Sequence, residues 1–367
     1  MKHGYRIIDA DGHILENHPE AIDWEKELPE PYKAWAPKHI PFPTRGGRVL
    51  MEGKLYARAA LGSEGVRGME SFSAHTQRKG MWDPHARMPD MRAEGIDLSV
   101  LFGTVIFLGQ NGLEDDGYAD AICRVYNNWA HRYCQTYPDQ LKAVALVRAR
   151  EPRYAVPELE RAVRDLGMVG ALLTPHVGLL TPDNPCFHPL YEAAQALDVP
   201  VCVHGVSNLP GVEPFAWERY KSRHWVMTYG FPMELMLAVG SIVGGGVLDT
   251  FPRLRVAFLE GWSGWLPFWM ERLDSWAHAS PNEVKCKALP SEYLKGSQVY
   301  VSYEPEEETL AYTLERVGDD RILYASDYWH IESEFPGGAA KLIAREDITH
   351  QAKRKLLSEN AARLYSL

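Results

Sequence analysis

Short apolar runs alternate with longer segments of helical period along most of this chain, and this alternation is the feature that most limits its possible folds. The apolar runs have the length and the β-branched content of buried strands. Eight of them are predicted strands: YRIIDADGH (5–13), IDLSVLFG (96–103), LKAVALV (141–147), MVGALLT (168–174), VPVCVHG (199–205), LRVAFLEG (254–261), QVYVSY (298–303) and RILYASD (321–327). Eight strands separated by helices predict an α/β fold, the closed (β/α)8 TIM-type barrel.

An open doubly wound sheet is the competing architecture. It normally has a glycine-rich turn after its first strand, and the segment DADGHILE is not such a turn. Two segments fall outside the repeat: residues 17–83, with many prolines and a predicted hairpin, and residues 206–230. We therefore predict one domain over residues 1–367, with an insertion after strand 1 and a long active-site loop after strand 5.

Charge and cysteine content exclude several classes of partner. The formal net charge is −10 and no run of Lys or Arg is present, which argues against a nucleic-acid partner. The five cysteines form no Cys-x-x-Cys pair, and an odd number cannot all pair within one chain, so a reducing compartment is expected. Without a signal segment or an uninterrupted apolar run of membrane-spanning length, we expect a cytoplasmic protein with a small-molecule substrate and no membrane partner.

Acidic and histidine side chains lie at the ends of several predicted strands. Asp11 and His13 alternate at the end of the first strand, and they share one face with Asp9 if that strand stays regular. His204 ends the fifth strand and Asp327 ends the eighth. Taken singly, such a histidine could be a core residue and such an aspartate a helix cap.

In a barrel these strand ends meet at one mouth, where the carboxylates would repel one another unless a cation neutralised them. A divalent ion held by Asp11, His13, His204 and Asp327 accounts for the pattern. Two imidazoles with two or three carboxylates suit zinc, manganese or iron, and zinc is the default expectation. The number of ions, one or two, is left open.

Five ordered motifs support this interpretation: DADGH (9–13), WDPHARMPDMRAEGIDLSVLF (82–102), PVCVHG (200–205), FPRLRVAFLEGWSGWLPFWMERLD (251–274) and YASDYWHIESEFP (324–336). Together they resemble the amidohydrolase-related proteins of the metal-dependent hydrolase superfamily, in the branch that includes the aminocarboxymuconate-semialdehyde and γ-resorcylate decarboxylases. The resemblance spans essentially the whole chain. It implies a metal-dependent barrel in which Asp11, His13, His204 and Asp327 bind the metal, and it implies a homodimer.

One position departs from the family pattern. Decarboxylases of this branch carry a catalytic histidine at the end of strand six, where this chain has Glu260. Glutamate cannot replace a protonated imidazole at neutral pH without a large rise in its pKa. Glu260 could be a further metal ligand that supports a second ion, a proton carrier, or a partner in a structural salt bridge. His176, after the fourth strand, is another possible ligand for a second metal or simply a loop histidine.

Because of Glu260, we expect a metal-dependent hydrolase that cleaves an amide, ester or thioester of a hydrophobic or aromatic carboxylic acid. A metal-activated water would attack, Asp327 would carry the proton, and His330 would orient the substrate or stabilise negative charge. The alternative is a metal-dependent nonoxidative decarboxylase, a carboxy-lyase of an aromatic or unsaturated carboxylate, which the overall resemblance favours.

Aromatic residues are dense in the loops predicted to surround the mouth. This density suggests a substrate with an apolar or aromatic body, although such residues are also frequent in cores. The residues we expect to contact substrate are Trp217, His224, Trp262 and Trp329.

Overall fold

The computed structural model describes residues 4–40, 48–57, 78–104, 110–205, 215–216, 219, 223–330 and 334–367. Within these ranges the strands, numbered β1 to β11 in chain order, are Ile8–Ile14, Lys38–Ile40, Arg48–Met51, Lys54–Ala57, Leu98–Gly103, Leu141–Ala143, Ala171–Leu173, Val201–His204, Val256–Leu259, Val299–Tyr303 and Ile322–Tyr324. The barrel strands are β1 and β5 to β11, whereas β2 to β4 form a separate antiparallel sheet.

The barrel strands follow one another in chain order. One sheet has the order β1, β5, β6, and a second has β7, β8, β9, β10, β11, with every pair parallel. A parallel bridge between Ala145 and Ala171 joins the two sheets on one side. On the other side, the backbone N–H of Asp327 donates to the carbonyl of Asp11 at 3.0 Å, so the segment after β11 meets β1. The predicted (β/α)8 barrel is confirmed.

The strand cores are buried along their whole length. Every residue of β1, β8, β9 and β10 is buried. Parallel strands covered by helices on one face and packed inside the barrel on the other have no solvated face, which explains their continuous apolar runs. A polar residue at the end of such a strand is therefore enclosed at the barrel mouth, where it needs a partner.

Helices connect the strands and pack around the barrel. In the described ranges the α-helices are Trp24–Glu27, Pro84–Glu94, Asp116–Gln135, Pro152–Arg164, His188–Ala196, Arg223–Trp225, Phe231–Gly244, Val247–Thr250, Leu266–Ala279, Pro290–Leu294, Leu310–Val317, Gly338–Ala344, His350–Arg354 and Asn360–Tyr365. Short 3-10 helices span Glu30–Trp35, Lys79–Met81, Gln110–Gly112 and Pro185–Phe187, and π-helical segments span Val226–Gly230 and Lys355–Glu359.

The insertion after β1 contains the predicted hairpin. Strands β3 and β4 pair antiparallel, and the two residues between them, Glu52 and Gly53, have φ angles of 55° and 71°. Positive φ at both central positions is typical of a tight hairpin turn. The extent of the insertion, residues 17–83, stays a prediction because residues 41–47 and 58–77 lie outside the described ranges.

One helical stretch meets the length and composition expected of a membrane span. Met227–Gly244 has a mean hydropathy of 1.2 over 18 residues, and half of it is buried inside the protein. A buried core helix meets the same two criteria, so this stretch is weak evidence for a membrane contact.

Candidate active site

Strands β1 and β8 bring an aspartate and two histidines together at the barrel mouth. His13 Nε2 lies 3.6 Å from Asp11 Oδ1, and His204 Nε2 lies 3.3 Å from Asp11 Oδ2. The two imidazole rings meet edge to face, with their centroids 5.1 Å apart. All three residues are at most 1% exposed, so these polar groups are held away from bulk water.

Glu260 and Asp327 reach the same cluster from the segments after β9 and β11. Glu260 Oε2 lies 3.2 Å from His204 Nε2 and 3.8 Å from His13 Nε2. Asp327 Oδ1 lies 3.2 Å from His13 Nε2. His330 joins from one turn further, with Nδ1 2.6 Å from Asp327 Oδ1 and 3.8 Å from Glu260 Oε1. The structure thus brings together residues predicted as ligands or catalytic groups from four strand ends.

Backbone carbonyls orient the two buried imidazoles. His13 Nδ1 donates to the carbonyl of Gly103 at 3.2 Å, and His204 Nδ1 donates to that of Gly205 at 2.7 Å. Because a carbonyl can only accept, each Nδ1 carries a hydrogen and each Nε2 faces the carboxylates. This orientation is the one in which histidine binds metals through Nε2.

The two imidazoles differ in pKa. Burial, followed by the charges of His330 and His204, lowers the pKa of His13 well below its ordinary value. For His204, burial also opposes protonation, but the negative charge and hydrogen bond of Asp11 outweigh it and raise the pKa. A neutral His13 is the form that binds a metal ion.

The cluster fits a divalent cation. Asp11 Oδ1 and His13 Nε2 are buried polar atoms that have no hydrogen-bond partner among the described residues. Each such atom costs about 1–3 kcal/mol if it is left unsatisfied. Imidazole nitrogens and carboxylate oxygens are the donors that first-row divalent ions take in proteins. These side chains therefore form a divalent-metal site.

The backbone is unusual where it presents Glu260 and Asp327 to the cluster. Glu260, Trp262 and Asp327 have φ angles of 58°, 62° and 47°. Non-glycine residues in this left-handed region cost on the order of 1–3 kcal/mol each and concentrate at functional sites. Two hydrogen bonds hold this backbone in place. The N–H of Glu260 donates to Ser302 Oγ at 3.1 Å, and the N–H of Asp327 donates to the carbonyl oxygen of Asp11.

A second buried acid, Glu307, supports the loop that follows Glu260. Its Oε1 accepts from the Ser263 N–H at 2.8 Å and from the Glu304 N–H at 2.9 Å, and its Oε2 accepts from Ser263 Oγ at 2.7 Å. Burial raises the pKa of Glu307. The sequence reading missed this residue because it lies beyond a strand end, inside a loop.

Glu304 is a further acid at the mouth that the sequence reading missed. It directly follows β10, the seventh barrel strand, so the strand-end pattern used for the other acids would have found it. Burial and the negative charge of Asp327, then of Glu307, raise its pKa well above its ordinary value.

The expectation that the first strand stays regular is wrong. A register shift in β1 follows Asp9, which does not belong to the ligand cluster. Asp9 instead accepts hydrogen bonds from Ser99 Oγ at 2.6 Å and from Ser326 Oγ at 2.8 Å. Asp9 therefore ties β1 to β5 and to the segment after β11, which positions Asp11 and Asp327 indirectly.

His176 lies outside the cluster. Its Nε2 is 3.8 Å from Glu234 Oε2, and its Nδ1 donates to the carbonyl of Gly178 at 2.9 Å. The groups of potential ligands found among the described residues do not include it. The geometry thus gives no support to His176 as a ligand.

Two of the predicted substrate contacts sit close to the ligands in the chain. Trp262 is 50% exposed and stands two residues after Glu260. Trp329 is half-buried, and in the sequence it stands between Asp327 and His330. The Arg78 guanidinium lies 4.3 Å from the centroid of its ring. Trp262 therefore offers exposed apolar surface close in sequence to Glu260.

The other two predicted contacts are less informative. His224 is exposed, and its ring meets that of Trp225 at 4.5 Å, with no described contact to the ligand cluster. Trp217 lies outside the described residues.

Comparison with known proteins agrees with this geometry. A family model described as Amidohydrolase matches residues 8–367. The chain belongs to this amidohydrolase family, and it is an enzyme of the amidohydrolase superfamily. The resemblance inferred from its five motifs is confirmed.

Named relatives are decarboxylases. The γ-resorcylate decarboxylase of Polaromonas sp. is 27% identical over 270 residues, covering 70% of this chain and 79% of the relative. The 2-amino-3-carboxymuconate-6-semialdehyde decarboxylase of Dictyostelium discoideum is 24% identical over 295 residues, covering 78% and 77%. The solved 5-carboxyvanillate decarboxylase of Novosphingobium aromaticivorans, complexed with manganese and 4-hydroxy-3-methoxy-5-nitrobenzoic acid, has a TM-score of 0.75 at 23% identity and covers 99% of this chain and 97% of that one.

These relatives correct the expected activity. The prediction of a hydrolase is wrong, since the named relatives are decarboxylases rather than hydrolases. The error came from giving one position, Glu260, more weight than similarity along the whole chain. The divalent ion is supported, whereas zinc specifically is not.

Proposed function

We propose that this protein is a metal-dependent, non-oxidative decarboxylase of an aromatic carboxylate. The observation that carries the proposal is the buried cluster of Asp11, His13, His204 and Asp327 in a chain whose named relatives decarboxylate such acids. The bond between the ring carbon and the carboxyl carbon breaks, CO2 leaves, and the ring carbon keeps the electron pair and takes a proton. No oxidant or reductant is required.

Asp11, His13, His204 and Asp327 would hold a divalent ion, which would supply positive charge for the substrate carboxylate and a neighbouring oxygen. Asp327 passes on the proton that the ring carbon takes, because its side chain is buried and its Oδ1 lies 2.6 Å from His330 Nδ1. His330, 14% exposed at its side chain, connects this proton to solvent.

The substrate ring is proposed to lie against the exposed face of Trp262, with Trp329 on the neighbouring wall. Indoles provide a large apolar surface for an aromatic ring. Trp217 and His224 remain predictions for the rest of this pocket.

Manganese is the ion we propose to test first. The two carboxylates of this ligand set, from Asp11 and Asp327, provide oxygen donors that suit Mn²⁺, and the structural neighbour holds manganese. Zinc, the default from the ligand types alone, is the comparison.

The test is product analysis with a panel of hydroxybenzoates and matched aryl esters. Protein loaded with Mn²⁺ is incubated in D2O, CO2 is measured, and the aromatic product is examined by mass spectrometry. We expect CO2 in equal amount to an arene that carries one deuterium at the carbon that lost the carboxyl group. Ester cleavage without CO2 release from any acid of the panel would contradict the proposal.

A further inference from the structure

A buried arginine lies directly behind the strand that ends in His13. Arg87 belongs to the helix Pro84–Glu94 and is only 1% exposed. An arginine side chain is always charged, so its burial is unfavourable unless the guanidinium makes hydrogen bonds. Its Nη1 donates to the carbonyl of His13 at 2.8 Å, and its Nη2 donates to Ser99 Oγ at 3.2 Å. Arg87 therefore joins β1 to β5 beneath the barrel mouth.

Ser99 connects this arginine to the segment that carries Asp327. Ser99 Oγ donates to Asp9 Oδ2 at 2.6 Å. Asp9 also accepts from the Oγ and the N–H of Ser326, each at 2.8 Å. Because Ser326 immediately precedes Asp327, a continuous chain of hydrogen bonds runs from Arg87 to the residue before the proposed proton carrier.

The residue after Asp327 also contacts the arginine. Arg87 Cζ lies 4.2 Å from the ring centroid of Tyr328, and the carbonyl of Tyr328 accepts from the N–H of His13 at 2.6 Å. Asp327 itself has a left-handed φ of 47°, which is stable only where the surroundings hold it. Both neighbours of Asp327 are thus held by contacts that lead to Arg87.

Gly12 makes room for this arrangement within β1. A Cβ at Gly12 would lie 2.6 Å from Asp9 Oδ2, 2.7 Å from Arg87 Nη2 and 2.7 Å from Ser99 Oγ. The three polar atoms therefore fill the space that a side chain of the strand would take. A glycine between the two metal ligands of β1 allows this close approach.

We propose that Arg87 is a positioning residue for proton transfer, which fixes the carboxylate of Asp327 through Asp9 and Tyr328. This inference rests on the proposed function, in which Asp327 passes a proton to the ring carbon, and it adds a residue that acts on the reaction only through others. A displacement of a catalytic group by about 1 Å can cost on the order of 100-fold in rate, so the support behind Asp327 affects turnover.

The experiment compares two buried arginines. Arg148 is also fully buried, and its Nη2 donates to the carbonyl of Leu113 at 2.7 Å and to Asp116 Oδ1 at 2.9 Å. Wild type, Arg87→Met and Arg148→Met are assayed at saturating Mn²⁺ with the best acid of the hydroxybenzoate panel. Circular dichroism establishes the temperature below which each variant is fully folded.

We expect Arg87→Met to lower kcat by about 10–100-fold, while KM changes by less than about threefold, because Asp327 is displaced and the substrate pocket is kept. Arg148→Met removes a charge of equal burial, so it should be destabilised in urea unfolding and should keep the wild-type kcat.

Two milder variants test the same contacts. Ser99→Ala removes the link between Arg87 and Asp9 and should lower kcat by about tenfold. Arg87→Lys keeps the positive charge but lacks the planar fork that reaches both His13 and Ser99. It should recover part of the kcat that is lost in Arg87→Met.

A proton NMR signal reports on Asp327 without turnover. His330 Nδ1 lies 2.6 Å from Asp327 Oδ1, so its imidazole proton should give a downfield resonance in zinc-loaded protein. The absence of this resonance in His330→Ala assigns it. Arg87→Met and Ser99→Ala should shift or abolish the resonance, whereas Arg148→Met should retain it.

Wild-type kcat or an unshifted resonance in folded Arg87→Met would overturn this inference. An equal loss of kcat in Arg148→Met would also overturn it, because the effect would then belong to any buried arginine. If Arg87→Met does not fold, the same two results in Ser99→Ala decide. The proposed function is judged separately: a wild type that releases no CO2 from the panel rejects the decarboxylase, and the resonance alone then decides whether Arg87 positions Asp327.

Discussion

At the scale of single residues, the Nε2 atom of His13 is the centre of the site. Carboxylate oxygens of Asp11, Glu260 and Asp327 surround it at 3.6, 3.8 and 3.2 Å. Burial lowers its pKa well below the ordinary histidine range, so this imidazole stays neutral at physiological pH. Metal binding, rather than proton transfer, is the chemistry for which His13 is suited.

Removing the other buried imidazole should release the metal. His204→Ala deletes a donor that faces both Asp11 and Glu260, at 3.3 and 3.2 Å. We expect Mn²⁺ affinity to fall by on the order of 100-fold or more. Isothermal titration with Mn²⁺ measures this change, and His278→Gln is the matched control. Unchanged affinity in folded His204→Ala would remove His204 from the ligand set.

Asp327→Asn tests the proton carrier with almost no change in side-chain shape. The amide cannot hold and return a proton, so we expect kcat to fall by about 10²–10⁴-fold while the fold is retained. Steady-state kinetics and circular dichroism measure the two effects. A folded, metal-loaded variant with wild-type kcat would assign proton transfer to another group.

At the scale of elements, the loop after β9 determines where Glu260 stands. Glu307 holds this loop through the N–H and hydroxyl of Ser263, and Trp265 Nε1 donates to the carbonyl of Gly261 at 2.9 Å. The loop can therefore keep left-handed φ angles at Glu260 and Trp262, because these hydrogen bonds, to Glu307 and within the loop, offset their cost.

Glu307 also predicts a pH dependence of stability. Its pKa is raised in the folded state, so the unfolded chain loses the proton first as pH rises above about 4.3, the ordinary glutamate value. The folded state is therefore progressively destabilised up to the raised pKa and levels off above it. Glu307→Gln should abolish this part of the profile in urea unfolding followed from pH 4 to 8, whereas exposed Glu308→Gln should not. If unfolding free energy changed with pH in the same way in the wild type and in Glu307→Gln, Glu307 would not be the source of this pH dependence.

The end of β8 predicts a steric effect at Gly205. A Cβ there would lie 2.4 Å from Phe231 Cδ1 and 3.0 Å from the carbonyl oxygen of Glu260. Gly205→Ala should cost about 1–3 kcal/mol of unfolding free energy, because Phe231 or the backbone at Glu260 must shift. Gly244→Ala, with no atom within 4 Å of the added carbon, is the control and should be neutral or slightly stabilising. Equal stability of the two variants would contradict the close packing.

At the scale of the whole molecule, three neighbouring helices expose large apolar side chains. Leu273 Cδ2 of the helix Leu266–Ala279 lies 3.7 Å from a Cβ built at Gly240, and Glu271 of that helix pairs with Arg316 of Leu310–Val317 at 2.9 Å. The exposed residues on these helices are Met233, Leu237, Phe268, Trp276 and Tyr312. Exposed apolar groups on adjacent helices are typical of a protein contact surface.

The homodimer implied by the family resemblance remains a prediction, and this face is where we expect the second copy to pack. Light scattering coupled to gel filtration should give twice the 41.5 kDa chain mass. Phe268→Asp should shift the protein toward the monomer, because a buried unpaired charge opposes association, whereas exposed Glu308→Gln should not. A monomer at all micromolar concentrations would contradict the dimer, and an unaffected dimer in Phe268→Asp would exclude this face.

The sequence by itself determined the barrel and most of the acidic and histidine residues that meet at its mouth. Apolar runs with the period of strands predict the order of the elements, and the parallel arrangement carries every strand end to one mouth, so Asp11, His13, His204 and Asp327 could be placed together. Glu304 also directly follows a barrel strand, so its position at the mouth could have been predicted in the same way.

Only the tertiary structure decided which loop residues complete the site. It placed His330 within 2.6 Å of Asp327 and His176 against Glu234 instead. Side chains point alternately to the two faces of a strand, so their directions can be predicted from sequence, whereas a loop has no such period. Its path depends on hydrogen bonds to residues distant in sequence, such as those from Ser263 to Glu307, which no sequence period reveals.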